Sequence, residues 1–298
     1  DLPAIRSEYQ RFIEALLAYQ SVALLIQPGD SSAQRQLARH ANLHLLEVPF
    51  NDTWCRDYGP ITLISSGRRR ALDFLFNGWG GKYPAALDNR VNTHLSRHPF
   101  FKGVEFRQSL FELEGGAIEC DGRGLLLINW HCLQTRHPHL DRDAIEYELR
   151  SLLNVSKVLG IDMQPTPGDD TDGHIDTLAR FLPGQRIAFQ DQGNNARTSE
   201  LRSQLEGLRD RSGHAFELIA LPFPDGVDPA LPANYVNFLF VNGACLVPVY
   251  GVAADQQACA ILEQALPEHR IEAVPASQMI RQFGGLHCAS MHLPEAPP

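Results

Sequence analysis

The order of elements in this 298-residue chain repeats, and that repeat constrains the fold more than any single motif. The clearest copies read strand, strand, helix, strand. One has strands at 175–181 and 186–189, a helix turning Leu201, Leu205 and Leu208 inward, and a strand at 216–221. The next has strands at 235–240 and 244–249, a helix presenting Ala258, Ile261, Leu262 and Ala265, and a strand at 271–274. The spacing is roughly 50 to 60 residues, the size of unit found in propellers and arrays. Earlier blocks follow the same order less regularly. Strands at 61–64 and 71–76 pair around Ser65-Ser66-Gly67, and 88–97 reads as helix. A second pair flanks Asp121-Gly122, a hairpin signal, ahead of a helix over 141–153 and a strand at 157–159. The chain opens with a helix over 3–20, a strand at 22–26, a helix over 31–40 and a strand at 43–48. The copies share their order of elements rather than their residues. Such units bury their faces against one another, and closing them into a ring leaves one central cavity. No Pro/Gly/Ser linker separates the blocks, so residues 1–298 are expected to form a single domain.

Charge and composition narrow the partners. Hydrophobic residues make up 44%, enough for a sizeable core, and the formal net charge is −9. That balance disfavours nucleic acid and anionic membrane surfaces and suits a small cation. No apolar run approaches the ~20 residues that span a bilayer. The first residues do not read as a signal peptide, which points to the cytoplasm. Six cysteines, Cys55, Cys120, Cys132, Cys245, Cys259 and Cys288, are scattered without C-x-x-C spacing. This favours reduced thiols and argues against a zinc site, so no metal or cofactor is expected. His131, His137 and His139 lack a matching ligand cluster and are read as a solvated loop. Homo-oligomerisation is left open.

The chemistry gathers at Gly168-Asp169-Asp170-Thr171-Asp172-Gly173-His174-Ile175-Asp176. If a strand begins near His174, His174 and Asp176 share a face, because strand side chains alternate. An imidazole and a carboxylate in one cavity suit cation binding and proton transfer. The competing reading is an acidic surface cap, since carboxylate-rich turns are common. Each block also supplies polar residues at the start of its first strand: Trp54 and Asp57, then Glu114, then His174 and Asp176, then Asn237. Gly284-Gly285-Leu286-His287-Cys288 adds a thiol. Opposed carboxylates match the N–H fork of a guanidinium, and a Trp face can cover its cationic plane. A thiolate can attack the central carbon, with a histidine moving the protons. Segment 76–83 is read as flexible, with Trp79 either a wall of the substrate pocket or a packing residue of that Gly-rich stretch.

Six ordered motifs then carry a resemblance. They are Thr53-Trp54-Cys55-Arg56-Asp57, Phe76-Asn77-Gly78-Trp79-Gly80-Gly81, Leu113-Glu114-Gly115-Gly116, Asp170-Thr171-Asp172-Gly173-His174-Ile175-Asp176, Tyr235-Val236-Asn237 and Gly284-Gly285-Leu286-His287-Cys288. Across about residues 47 to 292 the chain resembles the agmatine deiminase and bacterial peptidylarginine deiminase family of the guanidino-group-modifying superfamily. The resemblance implies an α/β fold, a five-bladed αβ-propeller (pentein). It implies hydrolysis of agmatine to N-carbamoylputrescine and ammonia through a Cys-thiouronium intermediate, in putrescine supply. Cys288 is matched to the nucleophile and His174 to the general acid/base. Asp57 and Asp176 are matched to the guanidinium carboxylates, Asn237 to a supporting polar residue and Trp54 to the aromatic wall. Glu114 is matched to a group that orients the histidine and lines the substrate site. Cys55 is then a packing residue. The chain opens later than the family usually does, so its first blade is expected to be incomplete. Spacing before Cys288, and Ala289-Ser290-Met291-His292 after it, also depart from the family pattern; these bear on substrate more than on chemistry. The alternatives are deimination of protein or peptide arginine, and a non-catalytic guanidine-binding protein.

Overall fold

A computed structural model describes residues 2–37, 40–166, 168–193 and 195–295. The chain divides into two compact units, Asp1–Gly115 with Cys288–Pro298, and Gly116–His287.

The first unit begins with α1 (Leu2–Leu17), β1 (Val22–Ile26), α2 (Ser32–Leu37) and β2 (Leu43–Glu47). β1 and β2 pair in parallel from Val22↔Leu43 to Ile26↔Glu47. Ile13, Leu17 and Leu37 close over Val22, Leu24 and Leu43, burying the stripe of the opening helix. Positions 38–39 of the helix expected over 31–40 lie outside the described residues. Next come α3 (Cys55–Tyr58), β3 (Ile61–Ser65), β4 (Arg68–Leu75), α4 (Gly78–Gly81), α5 (Val91–Leu95) and β5 (Glu105–Glu112). β3 is antiparallel to β4, and β4 is parallel to β5.

The second unit repeats that last arrangement three times. β6 (Ile118–Cys120), β7 (Leu125–Asn129), α6 (Trp130–Arg136), α7 (Arg142–Leu153) and β8 (Lys157–Ile161) form the first copy. β9 (Ala179–Leu182), β10 (Arg186–Gln190), α8 (Ala196–Gly207) and β11 (Glu217–Leu221) form the second. β12 (Leu239–Val241), β13 (Ala244–Val249), α9 (Ala254–Ala265) and β14 (Arg270–Pro275) form the third. In each, the first strand is antiparallel to the second, which is parallel to the third. A parallel pair cannot be joined by a tight turn, so each copy needs its crossover helix. Five small sheets result among the described residues. The middle strands of the second unit are mostly apolar: Leu125, Leu127, Ile187 and Phe189 pack with Leu201 and Leu205 of α8 in one core.

Three expectations need correction. Segment 76–83 is not a loose connector: Trp79 is buried, edge-on to Phe76 and Tyr83, and Asn77 caps the turn by accepting from Gly80 N–H. The strands expected at 175–181 and 235–240 begin later, at Ala179 and Leu239, because a 3-10 turn (Ile175–Thr177) precedes the first and a turn at 236–237 precedes the second. His131 lies in α6 and His137 is buried at its C-terminal end, so those two are not solvated loop residues. Helix α6 and strand β5 were not foreseen at all.

Candidate functional site

In the second unit the acidic turn is built by its own side chains. Asp169 Oδ1 accepts from the N–H and hydroxyl of Thr171, at 2.8 and 2.5 Å, and Oδ2 accepts from Gly173 N–H at 2.9 Å. Asp172 pairs with buried Arg136 at 2.6 Å, and the same guanidinium donates to Thr171 C=O. Asn129 donates to the carbonyls of Met163 and Gly173, each at 2.8 Å. Gly173 has φ +87, and a Cβ there would sit 2.6 Å from the Asn129 amide nitrogen, so only glycine fits. Asp169 and Asp172 thus shape the loop that delivers His174, which is 2% exposed. The His174 N–H donates to Thr171 Oγ1 at 3.1 Å.

His174 then starts a 3-10 turn over Ile175–Thr177 rather than a strand. Thr177 Oγ1 and N–H both reach the His174 carbonyl, which closes the turn. His174 is the N-cap of that turn and Asp176 lies within it, so strand alternation does not relate their side chains. Asp176 is fully buried, and its Oδ2 is 2.7 Å from His287 Nδ1 and 3.3 Å from Asn237 Nδ2. Asn237 Oδ1 in turn accepts the His287 N–H at 3.0 Å. The structure thus joins Asp176 and Asn237, both foreseen, through His287, which was not. His287 was legible only as the residue before Cys288, with nothing to mark its partner.

In the first unit, α3 carries Asp57, 5% exposed, directly after buried Trp54 and Arg56. The turn is fixed from several sides. Asp88 Oδ1 accepts from the N–H groups of Asn51 and Asp52, and Tyr58 OH donates to the Asp52 carbonyl. Desolvation holds the Asp88 carboxyl above its ordinary value, against the pull of those two donors. Trp79 Nε1 donates to Asp57 Oδ2 at 2.9 Å. Trp79 itself stands at φ +55, a left-handed conformation held by its ring contacts and this bond. Arg56 N–H donates to the Cys288 carbonyl at 3.0 Å, and its guanidinium reaches Met291 Sδ and His292 Nδ1. The residue bearing the candidate thiol is thereby tied to the turn bearing Asp57. Buried Glu114 precedes a 3-10 turn, Gly115–Ala117. A Cβ at Gly115 would lie 2.1 Å from the Arg56 carbonyl, so the Glu-Gly-Gly motif packs backbone on backbone there.

Four of the other thiols are poor nucleophiles. Desolvation pushes Cys55 up to about 11 and Cys245 up to about 12. It also raises Cys120 and Cys259. A neutral thiol is not the reactive form.

Fold and side chains together define a guanidino-group-modifying hydrolase. The chain belongs to the Porphyromonas-type peptidyl-arginine deiminase family, whose model matches residues 1–294. It is 31% identical over 315 residues to the agmatine deiminase of Ectopseudomonas mendocina, covering 94% of this chain and 85% of that one. A solved C. jejuni agmatine deiminase variant with substrate bound is 34% identical, with TM-score 0.89 over 97% of this chain and 86% of that one. The agmatine deiminase of Enterococcus faecalis is 25% identical, with TM-score 0.90 over 99% and 88%. The fold class is that of these proteins, as the resemblance implied, and the non-catalytic alternative gives way to an enzyme. Among the described residues no helix is long and apolar enough to cross a membrane.

Proposed function

We propose that the chain hydrolyses agmatine to N-carbamoylputrescine and ammonia, as a cytoplasmic step that supplies putrescine. One observation carries the reading: two carboxylates, Asp57 and Asp176, are buried and oriented by directed N–H donors. Carboxylates held this way are suited to a cation that brings its own N–H groups. In the proposed reaction, Asp57 and Asp176 grip the guanidinium, and Trp54 covers its plane. The Cys288 thiolate forms a bond to the central carbon. The bond from that carbon to a terminal nitrogen breaks, and His174 supplies the proton with which the nitrogen leaves as ammonia. His174 then takes a proton from water, whose oxygen attacks the thiouronium carbon. The C–S bond breaks, releasing the ureido product and restoring the thiolate. Asn237 supports Asp176, and Glu114 orients His174.

A colour assay for ureido groups, run with agmatine, free arginine and an arginine peptide, tests it. Agmatine is expected to be turned over and Cys288→Ser to be inactive. Activity surviving in Cys288→Ser refutes the nucleophile, and no activity on any of the three refutes the reading. The family model's description favours a second reading, deimination of arginine within a protein or peptide. Preference for the peptide in the same assay would establish it.

A further inference from the structure

His287 has no part in the reaction as written, yet its bonds are directed at a group that does. Its Nδ1 lies 2.7 Å from Asp176 Oδ2, with the two side chains 4% and 0% exposed. An ionised carboxylate only accepts, so Nδ1 carries the hydrogen. The His287 main chain is held too: its N–H donates to Asn237 Oδ1 at 3.0 Å. That bond settles which way the Asn237 amide points. With Oδ1 committed to an N–H, Nδ2 must face acceptors, and it lies 3.3 Å from Asp176 Oδ2 and 3.4 Å from the Asp176 carbonyl. Two donors therefore converge on one carboxylate oxygen, and the three residues close a ring of hydrogen bonds. The chain leading into His287 is pressed against the same amide. A Cβ at Gly285 would sit 2.5 Å from Asn237 Oδ1, so that approach needs glycine.

We propose that His287 is a positioning residue, which aims the Asp176 carboxylate at the guanidinium through Nδ1 and, through its main chain on Asn237, sets where the next residue, Cys288, starts. The proposal rests on the function assigned above. A histidine that merely filled a buried space would be replaced best by a side chain of similar bulk. One that works through Nδ1 is replaced best by a side chain with an N–H at that atom's position. Asparagine places its amide nitrogen where Nδ1 stands, and glutamine places its own near Nε2.

The test uses full-length Cys288→Ser protein, which is expected to bind agmatine without consuming it, with agmatine affinity read by calorimetry. His287→Asn is expected to stay within about three-fold of that parent. His287→Gln is expected to bind about ten- to hundred-fold more weakly, the range for losing a hydrogen bond to a charged group. If the glutamine variant does not fold, His287→Ala replaces it with the same expectation. Equal affinities for the Asn and Gln variants, or an unweakened Gln variant, overturn the positioning role. Absence of agmatine binding by the Cys288→Ser parent itself is a different result. It refutes the agmatine reading, and the present proposal falls with it.

Discussion

Trp79→Phe isolates one atom of the candidate site. The ring that remains can keep its edge-on contacts to Phe76, now at 5.0 Å, and to Tyr83, at 5.6 Å. What is lost is Nε1 and its 2.9 Å bond to Asp57 Oδ2, made where both residues are buried. A hydrogen bond to a charged group contributes ~1.5–3 kcal/mol, so substrate recognition is expected to weaken about ten- to hundred-fold. If Asp57 grips the guanidinium already in the ground state, the loss falls on KM for agmatine more than on kcat. Stability is a separate readout. Trimming a buried indole to a phenyl costs roughly 1–2 kcal/mol, less than the truncations to alanine. The left-handed backbone at φ +55 is no harder for Phe than for Trp, so it adds nothing. Steady-state kinetics and a thermal melt separate the two effects. The decisive comparison is a cycle with Asp57→Asn: once the carboxylate is gone, removing the indole N–H has little left to disturb. Effects of Trp79→Phe and Asp57→Asn that add to within ~0.5 kcal/mol would show that the indole does not act through Asp57.

Asp176→Asn is expected to raise KM for agmatine, at a cost of ~2–5 kcal/mol for removing one charge of a buried pair; unchanged kinetics would mean that Asp176 does not touch substrate. Glu119→Gln breaks the buried pair with Arg180, 2.6 Å apart in the second unit, and should lower unfolding stability by ~3–5 kcal/mol. A urea midpoint equal to that of the wild type counts against it. Cys55 ionises at about 11 in the folded protein against an ordinary 9.0, so its contribution to stability is complete below pH 9 and is lost as pH rises towards 11. Urea midpoints measured from pH 8 to 10.5 should fall, and fall less in Cys55→Ala; identical slopes in the two proteins would refute the assignment.

Regular elements were the legible part of this chain. The Val22–Ile26 strand, the helix ending at Leu153 and the parallel strands near 217–221 and 270–275 follow from apolar runs and 3.6-residue spacing alone. The site was legible by residue type but not by geometry. Asp57, Asp176 and Asn237 were picked out, whereas the bonds that orient them come from residues 22, 111 and 61 positions away. No local pattern encodes a pairing at that distance. Trp79 was visible as an aromatic in a Gly-rich stretch, but the direction of its N–H depends on a left-handed backbone that only the packed structure reveals. Asp169 and Asp172 were given no role from the sequence, and the structure shows them holding the loop, through Thr171, Gly173 and Arg136.

One irregularity recurs and accounts for the mistaken strands. Asp57 lies within a single helical turn, Cys55–Tyr58, just ahead of Ile61–Ser65. Glu114 abuts the turn Gly115–Ala117 ahead of Ile118–Cys120. Asp176 sits in Ile175–Thr177 ahead of Ala179–Leu182, and Asn237 in a turn just before Leu239–Val241. A residue inside a strand is committed to one of two faces and its backbone to a ladder. A residue on or beside a turn, just before the strand, escapes both constraints. Its side chain can leave the plane of the sheet, and its carbonyls and N–H groups can be met by side chains such as Thr177 and Asn237. The cost is that each turn needs its own local fastening, which is why Asp88, Thr171 and Asn234 each accept a backbone N–H at such a turn or just ahead of it. A repeat that ran straight into its first strand would have the periodicity expected from the sequence and would carry its polar side chains on the faces of the sheet, where the packing of apolar middle strands leaves them no room.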